Sequence, residues 1–295
     1  MRLLTFRTSF FLLLFLAFSL EAKMLSRTQI VMGTFINIAV EEKDKAFIED
    51  GFRTFKNIDA SLSTFNPNSP IYKLNQTKNT PLNTTSYEAL LLSTKYYETT
   101  DGYFDISIGS ITKDLYHFGE EEHLPHGKDM ANAFIGFKGL FFNKKNASLH
   151  KNMKIDLGGM GKGFAVDKVA DYFKDKNSTK AIIAASGDIR CLDTCDIDIT
   201  NPFSQEPLVS FITRDKNMGI STSGNYNRYV ESTKNNHLIN PKRKYSQNNF
   251  VSITLISHMP SADLDAYTTA ASVMPVKESY NFLHTLKTAY IILHV

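Results

Sequence analysis

The amino-acid sequence predicts an α+β fold in which helices pack on a mixed, largely antiparallel sheet. Some stretches alternate apolar with polar residues, as strands do, and others space their apolar residues as helices do. These stretches follow one another without a regular strand–helix–strand rhythm, which disfavours a doubly wound parallel sheet. The hydrophobic fraction of 42% and the charged fraction of 21% are ordinary for a chain that buries a core. We therefore expect one domain over residues 23–295.

The first 22 residues predict a secretory signal peptide. Arg2 and Arg7 give a positive flank, and residues 10–20 are almost purely apolar but too short to span a bilayer comfortably. Small residues such as Ser19 and Ala22 suit a cleavage point. An uncleaved membrane anchor is the alternative. In either case we expect the protein to lie in the periplasm, free or associated with the inner membrane and facing the periplasm.

The predicted elements of the first third of the chain begin with a strand. Residues 29–40 end in alternating apolar and polar or small residues, and residues 47–62 repeat apolar residues at helical spacing. Residues 61–75 are rich in Ser, Asn and Pro and predict a loop. Thr85 and Glu88 resemble a capping box, which places the next helix after them.

The rest of the chain continues the irregular mixture of elements. Residues 134–150 predict a hairpin, and residues 181–185 predict a short buried strand. Residues 250–257 alternate as a strand, Ser261 is a candidate cap for the helix that follows, and residues 290–294 predict a last strand.

The chain has two cysteines, Cys191 and Cys195. In an oxidising compartment they would pair, and otherwise they would be two free buried thiols; the sequence leaves both alternatives open. A zinc site is disfavoured because no histidine lies close to them in sequence.

A glycine cluster spans residues 156–163 and opens a predicted helix. Four glycines in these eight residues let the backbone approach a ligand closely, and the helix N-terminus offers N–H groups to a phosphate. Lys162 adds a positive charge. The alternative is a tight strand-to-helix turn without a ligand. The order of residues matches neither a Walker loop nor the dinucleotide-binding G-x-G-x-x-G pattern.

Asp265 and Thr269 stand four residues apart near the start of a predicted helix and so share one face. Their oxygens are hard ligands suited to Mg²⁺ or Ca²⁺. Asp263 and Thr268 are neighbouring alternatives, and a solvated surface is the simpler interpretation of either pair.

Among the histidines, His237 is the candidate for catalysis, because it precedes a short apolar step and an Asn-Pro turn. A structural role is its alternative. A serine hydrolase is disfavoured, since the chain has no G-x-S-x-G elbow. The net charge of +3 comes from scattered residues, so no nucleic-acid partner is expected.

Taken in chain order, these segments resemble the ApbE-like family of FAD:protein FMN transferases. The similarity covers most of the chain from about residue 30 to beyond residue 274. The matching motifs are Met32-Gly33-Thr34, Ser63-Thr64-Phe65, Gly102-Tyr103-Phe104-Asp105, residues 156–167, Gly187-Asp188, Thr222-Ser223-Gly224, His237 to Pro241, and Asp265 to Ala270.

The resemblance implies an activity and a set of site residues. It implies transfer of FMN from FAD to a Thr or Ser hydroxyl of an acceptor flavoprotein, a subunit of a membrane redox complex, with release of AMP. Asp265, Thr269 and the Gly159 carbonyl would bind Mg²⁺, and His237 would assist proton transfer. The residues implied for FAD are Met32, Phe65, Tyr103, Phe104, Asp105, Asp156, Lys162 and Ile239.

The sequence departs from the family pattern at several places. Phe65 stands where Tyr is frequent, Asn240 replaces a usual Asp, and residues 242–244 are basic where Thr-Gly is usual. Two alternatives to the transferase therefore stay open. One is an FAD pyrophosphatase that releases FMN and AMP, and the other is a non-enzymatic exported flavin-binding protein.

Overall fold

The structure is a computed structural model that describes residues 23–295. The predicted signal peptide lies outside the described residues. None of the helices formed by residues 23–295 combines the length and the apolar character that crossing a bilayer requires.

The described residues form helices and strands in an irregular order. The helices are α1 (Ile48–Leu62), α2 (Pro70–Thr77), α3 (Thr84–Thr99), α4 (Gly109–Thr112), α5 (Gly127–Asn132), α6 (Gly161–Asp175), α7 (Ser261–Val273) and α8 (Val276–Leu286). The strands are β1 (Met24–Val31), β2 (Thr34–Glu41), β3 (Asn79–Pro81), β4 (Leu140–Phe142), β5 (Asn146–Leu149), β6 (Ala181–Ala185), β7 (Asp188–Cys191), β8 (Asp196–Ile199), β9 (Val209–Ile212), β10 (Met218–Gly224), β11 (Ile239–Asn240), β12 (Tyr245–Ser246), β13 (Phe250–Ser257) and β14 (Ala289–His294).

A seven-stranded sheet organises the fold, in the order β1-β2-β6-β7-β10-β13-β14. Each neighbouring pair in this sheet is antiparallel. Helices α1, α6 and α7 cover one face, where the inward residues of β2, such as Ile36 and Ile38, are fully buried. The α+β class with a largely antiparallel sheet is therefore confirmed.

The predicted strand over residues 29–40 is a β-hairpin instead. Met32 and Gly33 both have positive φ, at 55° and 70°, and Val31 pairs with Thr34 across them. A two-residue turn with two positive φ values matches the twist of the flanking strands. Met-Gly is not one of the usual turn dipeptides, so the alternating pattern ran through the turn without a visible break.

The predicted helix caps are also displaced. The N-cap of helix α3 is Asn83, two residues before the expected Thr85, and Asn83 and Ser86 form the reciprocal hydrogen bonds instead. The loop predicted over residues 61–75 includes the first residues of α2, which Ser69 caps. The hairpin predicted within residues 134–150 is confirmed as β4 and β5.

Helix α7 is capped from outside its own segment. The Asp167 carboxylate of α6 accepts the N–H groups of Ser261 and Ala262 at 2.7 and 2.9 Å. Ser261, the predicted cap, instead accepts hydrogen bonds from the buried Arg190 guanidinium. A carboxylate at a helix N-terminus satisfies unpaired N–H groups and complements the dipole, so Asp167 ties α6 to α7.

Helices α6 and α7 approach each other closely at Gly163. A Cβ added there would lie 2.8 Å from Asp265 Cβ and closer still to the Ser261 carbonyl. The Gly163 N–H donates to the Asp265 carboxylate at 3.0 Å. A residue without a side chain is therefore needed where the glycine cluster meets α7.

Cys191 and Cys195 form a disulfide, which settles the alternative left open by the sequence. The bridge joins the end of β7 to the start of the β8–β9 hairpin. Ile197 and Ile199 of this hairpin are buried with the two cysteines against Ile220 of the central sheet. The hairpin thus covers part of the sheet face opposite the helices.

Replacing Gly163 by Ala is expected to lower the free energy of unfolding by about 1–3 kcal/mol, because the new methyl group has no space between α6 and α7. Urea unfolding followed by circular dichroism measures this change. Gly161→Ala is the matched control, since its Cβ would meet the Met32 methyl group at an ordinary 3.8 Å. Equal stability of the two variants would contradict the importance of the close approach.

Candidate active site

A cavity of about 830 Å³ opens at one end of the central sheet. Its size is in the range of cofactor and small-molecule sites. The cavity is lined by the β1–β2 turn, the glycine cluster before α6, the start of the β6–β7 turn and one face of α7. All twelve residues that the sequence resemblance assigned to a site line it, namely Met32, Phe65, Tyr103, Phe104, Asp105, Asp156, Gly159, Lys162, His237, Ile239, Asp265 and Thr269.

The glycine cluster and the α7 face meet directly. The Thr269 hydroxyl donates to the Gly159 carbonyl at 3.3 Å, and Asp265 lies one helical turn before Thr269. A Cβ added at Gly159 would come within 3.0 Å of the Thr269 methyl group. The sequence placed these residues over a hundred positions apart, and the fold brings their oxygens to one wall of the cavity.

Lys162 lies between two buried carboxylates on this wall. Its Nζ is 2.9 Å from Asp188 and 3.4 Å from Asp265. Burial alone would lower the pKa of Lys162, but the two carboxylates outweigh burial and raise it. Burial first, and then the Asp188 charge, raise the pKa of Asp265 to about 7. The wall therefore carries more buried negative charge than one ammonium group balances.

The family resemblance includes Asp188 only as part of the Gly187-Asp188 motif and implies no role for it. It is buried at the start of β7, and the Ser221 hydroxyl donates to its carboxylate. The available signal was an acidic residue directly after Gly187, close behind the apolar residues 181–185.

The oxygen donors on this wall fit a magnesium ion. Asp265 offers a carboxylate, Thr269 a hydroxyl and Gly159 a carbonyl, all of them hard ligands. Within residues 23–295 no group of three or more His, Cys, Asp or Glu side chains is arranged to hold a metal. A site with one carboxylate suits Mg²⁺, which is commonly held by one or two carboxylates together with substrate phosphates.

The alternative ligands suggested by the sequence point elsewhere. Asp263 pairs with Lys95 and with the Tyr96 hydroxyl, both at 2.7 Å. Thr268 is fully buried and donates to carbonyl oxygens within α7. Neither residue lines the cavity.

Asp156 is held in a hydrogen-bond network at the base of the glycine cluster. Its carboxylate accepts from the Thr112 hydroxyl at 2.8 Å and the Gly158 N–H at 2.9 Å, and Lys113 Nζ lies 3.7 Å away. Burial opposes its ionisation, but the charges of Lys113 and Arg228 hold its pKa below the ordinary value. Asp156 is therefore a fixed negative charge.

His237 lies on another wall of the same cavity. Its Nδ1 is 3.1 Å from the Arg228 carbonyl, which can only accept, so the hydrogen resides on Nδ1 and Nε2 is free to take a proton. Burial, and next the Arg228 charge, lower the pKa of His237 to about 4. The imidazole is consequently neutral at physiological pH.

The aromatic residues of the site differ in how much they offer to a ligand. Phe65 is 44% exposed, with Lys113 Nζ 4.2 Å from its ring centre, so one ring face is available for stacking. Tyr103 is more enclosed, because its hydroxyl donates to Glu278 and Lys242 Nζ lies 3.9 Å from the ring centre.

The other predicted flavin-site residues shape the cavity from buried positions. Phe104 packs edge-to-face on Tyr96, and the Asp105 carboxylate accepts from the Ser107 N–H at 2.8 Å. Ile239 is buried, and Met32 sits in the β1–β2 turn.

Asn240, which replaces a usual Asp of the family, does not line the cavity. Its side-chain amide donates to the Val273 carbonyl at 2.6 Å, and its oxygen accepts from the N–H groups of Lys242 and Arg243 at 3.0 Å. Asn240 thus holds the turn that follows β11 against the end of α7. The substitution removes no charge from the cavity wall.

Known proteins resemble this chain in sequence. A curated protein of Haemophilus influenzae named FAD:protein FMN transferase is 28% identical over 80% of this chain and 77% of its own length. One of the same name from Klebsiella pneumoniae is 25% identical over 84% of this chain and 82% of its own length.

Solved structures share the fold. The flavin transferase ApbE of Vibrio cholerae superposes with a TM-score of 0.79 at 20% identity, over 92% of this chain and 93% of its own. The ApbE protein of Thermotoga maritima gives 0.83 at 21% identity, over 92% and 94%. The sequence model of the ApbE family matches residues 32–292. This chain belongs to the ApbE family.

Proposed function

We propose that this protein transfers FMN from FAD to a Thr or Ser hydroxyl of an acceptor flavoprotein, releases AMP and requires Mg²⁺. One observation carries the proposal: the Gly159 carbonyl, the Asp265 and Thr269 side chains and Lys162 meet on one wall of a cavity that also contains His237. The name FAD:protein FMN transferase borne by the relatives supports the same assignment.

The reaction joins the acceptor oxygen to the phosphorus of the FMN half of FAD. The bond between that phosphorus and the bridging oxygen of the pyrophosphate breaks, and AMP leaves with the bridging oxygen. The proton of the acceptor hydroxyl passes to Nε2 of His237, which acts as the general base. The products are a phosphodiester-linked FMN and AMP.

The residues on the glycine-cluster wall would stabilise the pyrophosphate. A bound Mg²⁺ would supply positive charge to the pyrophosphate oxygens as the leaving group develops negative charge. Lys162 adds a fixed ammonium group beside Asp265. The N–H groups at the start of α6 offer further donors to a phosphate. The exposed face of Phe65 is a surface on which the flavin or adenine ring of FAD would stack.

We extend the proposal to location and partner. The Cys191–Cys195 disulfide is compatible with an oxidising compartment such as the periplasm, to which the predicted signal peptide would direct the chain. The acceptor suggested by the resemblance is a flavoprotein subunit of a membrane redox complex.

The transfer is tested by co-expressing the chain with candidate acceptor subunits and searching their Thr and Ser peptides for the added mass of FMN. With purified protein, FAD, acceptor and Mg²⁺, the labelled acceptor and AMP are expected in equal amounts, and chelation of Mg²⁺ should prevent both. AMP released at the same rate without any acceptor would identify a hydrolase instead. FAD binding without AMP under every condition would leave only a flavin-binding protein.

Asp265→Asn keeps the size of the side chain and removes its charge. We expect Mg²⁺-dependent transfer to fall on the order of 100-fold or more, because the carboxylate is the one charged donor among the proposed ligands. Asp263→Asn, two positions away and directed at Lys95 and Tyr96, is the matched control and should keep the Mg²⁺ dependence. Full transfer by Asp265→Asn would refute the metal assignment.

The pH dependence tests the role of His237. A pKa lowered to about 4 keeps its imidazole neutral and able to accept a proton until the pH falls through that value. The ratio of kcat/KM between the wild type and His237→Gln should therefore stay constant from about pH 8 down to about pH 5.5, where an ordinary histidine would already be protonated. A ratio that collapses near pH 6.5 would contradict this account.

A further inference from the structure

The cavity contains a cation to which the family resemblance assigned no role. Arg228 lines the cavity and is partly buried. Within residues 23–295 its guanidinium donates no hydrogen bond to a protein acceptor and forms no ion pair within 4.0 Å. A guanidinium presents five N–H donors in a planar fork, so an unpaired one beside a cavity is prepared for an anion.

The other two cations of the cavity already have partners. Lys162 contacts Asp188 and Asp265. Lys113 donates to the Phe118 carbonyl at 3.1 Å and lies 3.7 Å from the Asp156 carboxylate. Arg228 is distinguished from both because its charged group has no hydrogen-bond or ion-pair partner among residues 23–295.

Packing fixes the place of the Arg228 side chain. Its guanidinium carbon lies 5.3 Å from the centre of the Phe118 ring. A Cβ added at Gly119, where φ is +87°, would come within 3.1 Å of the Arg228 Nη2 and 2.9 Å of the Phe65 ring. The guanidinium is therefore held between Phe118 and the Gly119 backbone, close to the exposed ring of Phe65.

The backbone of Arg228 places this cation next to the proposed base. Its carbonyl accepts both the His237 backbone N–H at 3.2 Å and the His237 ring N–H at 3.1 Å. The following residue, Tyr229, forms an isolated β-bridge with Asn236. Arg228 and His237 thus stand side by side in the lining of the cavity.

Asp156, whose carboxylate interacts electrostatically with Arg228, is an unsuitable permanent partner for it. The oxygens of Asp156 already accept hydrogen bonds from Thr112 and Gly158 and form an ion pair with Lys113. No acidic side chain within residues 23–295 lies within 4.0 Å of the guanidinium.

We propose that Arg228 binds the phosphate of the FMN half of FAD, as a second phosphate-binding position beside the Lys162 wall. The inference rests on the proposed function, because His237 must face the phosphorus that the acceptor hydroxyl attacks. A bidentate guanidinium–phosphate contact would orient that phosphorus toward His237 and would also hold the FMN group during transfer. The Arg228 charge adds to burial in lowering the pKa of His237, so the imidazole stays neutral and free to accept a proton.

Equilibrium binding of FMN, riboflavin and AMP to the purified full chain isolates this contact. In Arg228→Gln, FMN affinity should fall by about 10- to 100-fold, the effect of losing a hydrogen-bonded charge pair. Riboflavin has no phosphate and AMP is the other product, so their affinities should not change. Arg228→Lys keeps the charge without the fork and should lose less than Arg228→Gln.

Two controls keep the result interpretable. Arg214→Gln removes an exposed arginine that does not line the cavity and should bind all three ligands like the wild type. Thermal unfolding verifies that each variant is folded before binding is measured.

Three outcomes would overturn the proposal: unchanged FMN affinity, an equal loss for riboflavin and FMN, or a loss confined to AMP. The first leaves Arg228 without a ligand, the second makes its role one of packing, and the third places it on the AMP side. FMN binding is measured without the transfer reaction, so a protein that fails in the transfer assay would not for that reason give any of these three binding results.

Discussion

The close contact between the glycine cluster and α7 is the constraint on which the site depends. Gly163 leaves room for α7, its N–H holds the Asp265 carboxylate, and Asp167 one turn later caps α7 from α6. With α7 fixed in this way, Thr269 reaches the Gly159 carbonyl. The oxygen donors on the cavity wall are therefore positioned by backbone packing between two helices rather than by flexible side chains.

Buried charge gives this wall its chemical character. Asp188 and Asp265 share Lys162, which leaves one negative charge in excess where burial already disfavours ionisation. In the proposed complex a divalent cation and a doubly charged pyrophosphate would enter together and nearly cancel each other. The wall would thus favour the metal-bound substrate over the free dinucleotide, whose negative charge it would repel, which is the behaviour expected of a site that handles FAD with Mg²⁺.

The sequence predicted the fold class and the membership of the cavity better than it predicted local boundaries. The motifs around Asp156, His237 and Asp265 could be recognised because they follow one another in the order of the family pattern, although each is short. The Met32–Gly33 turn and the Asp167 cap could not be predicted, since one depends on positive φ values at an uncommon dipeptide and the other on a contact between separate helices. The lone guanidinium of Arg228 was invisible for the same reason: a lack of partners is a property of three-dimensional packing.

The structure also explains the effect of the residues that differ from the family pattern. Asn240 still closes its turn with hydrogen bonds to Val273, Lys242 and Arg243, so the loss of a carboxylate there leaves the cavity unchanged. Lys242 covers the Tyr103 ring, whereas Phe65 keeps an open face. A substrate with two ring systems would therefore meet one covered aromatic ring and one accessible aromatic ring. That difference, together with Arg228 beside His237, would give the two halves of FAD distinct environments in the proposed reaction, which keeps one half and releases the other.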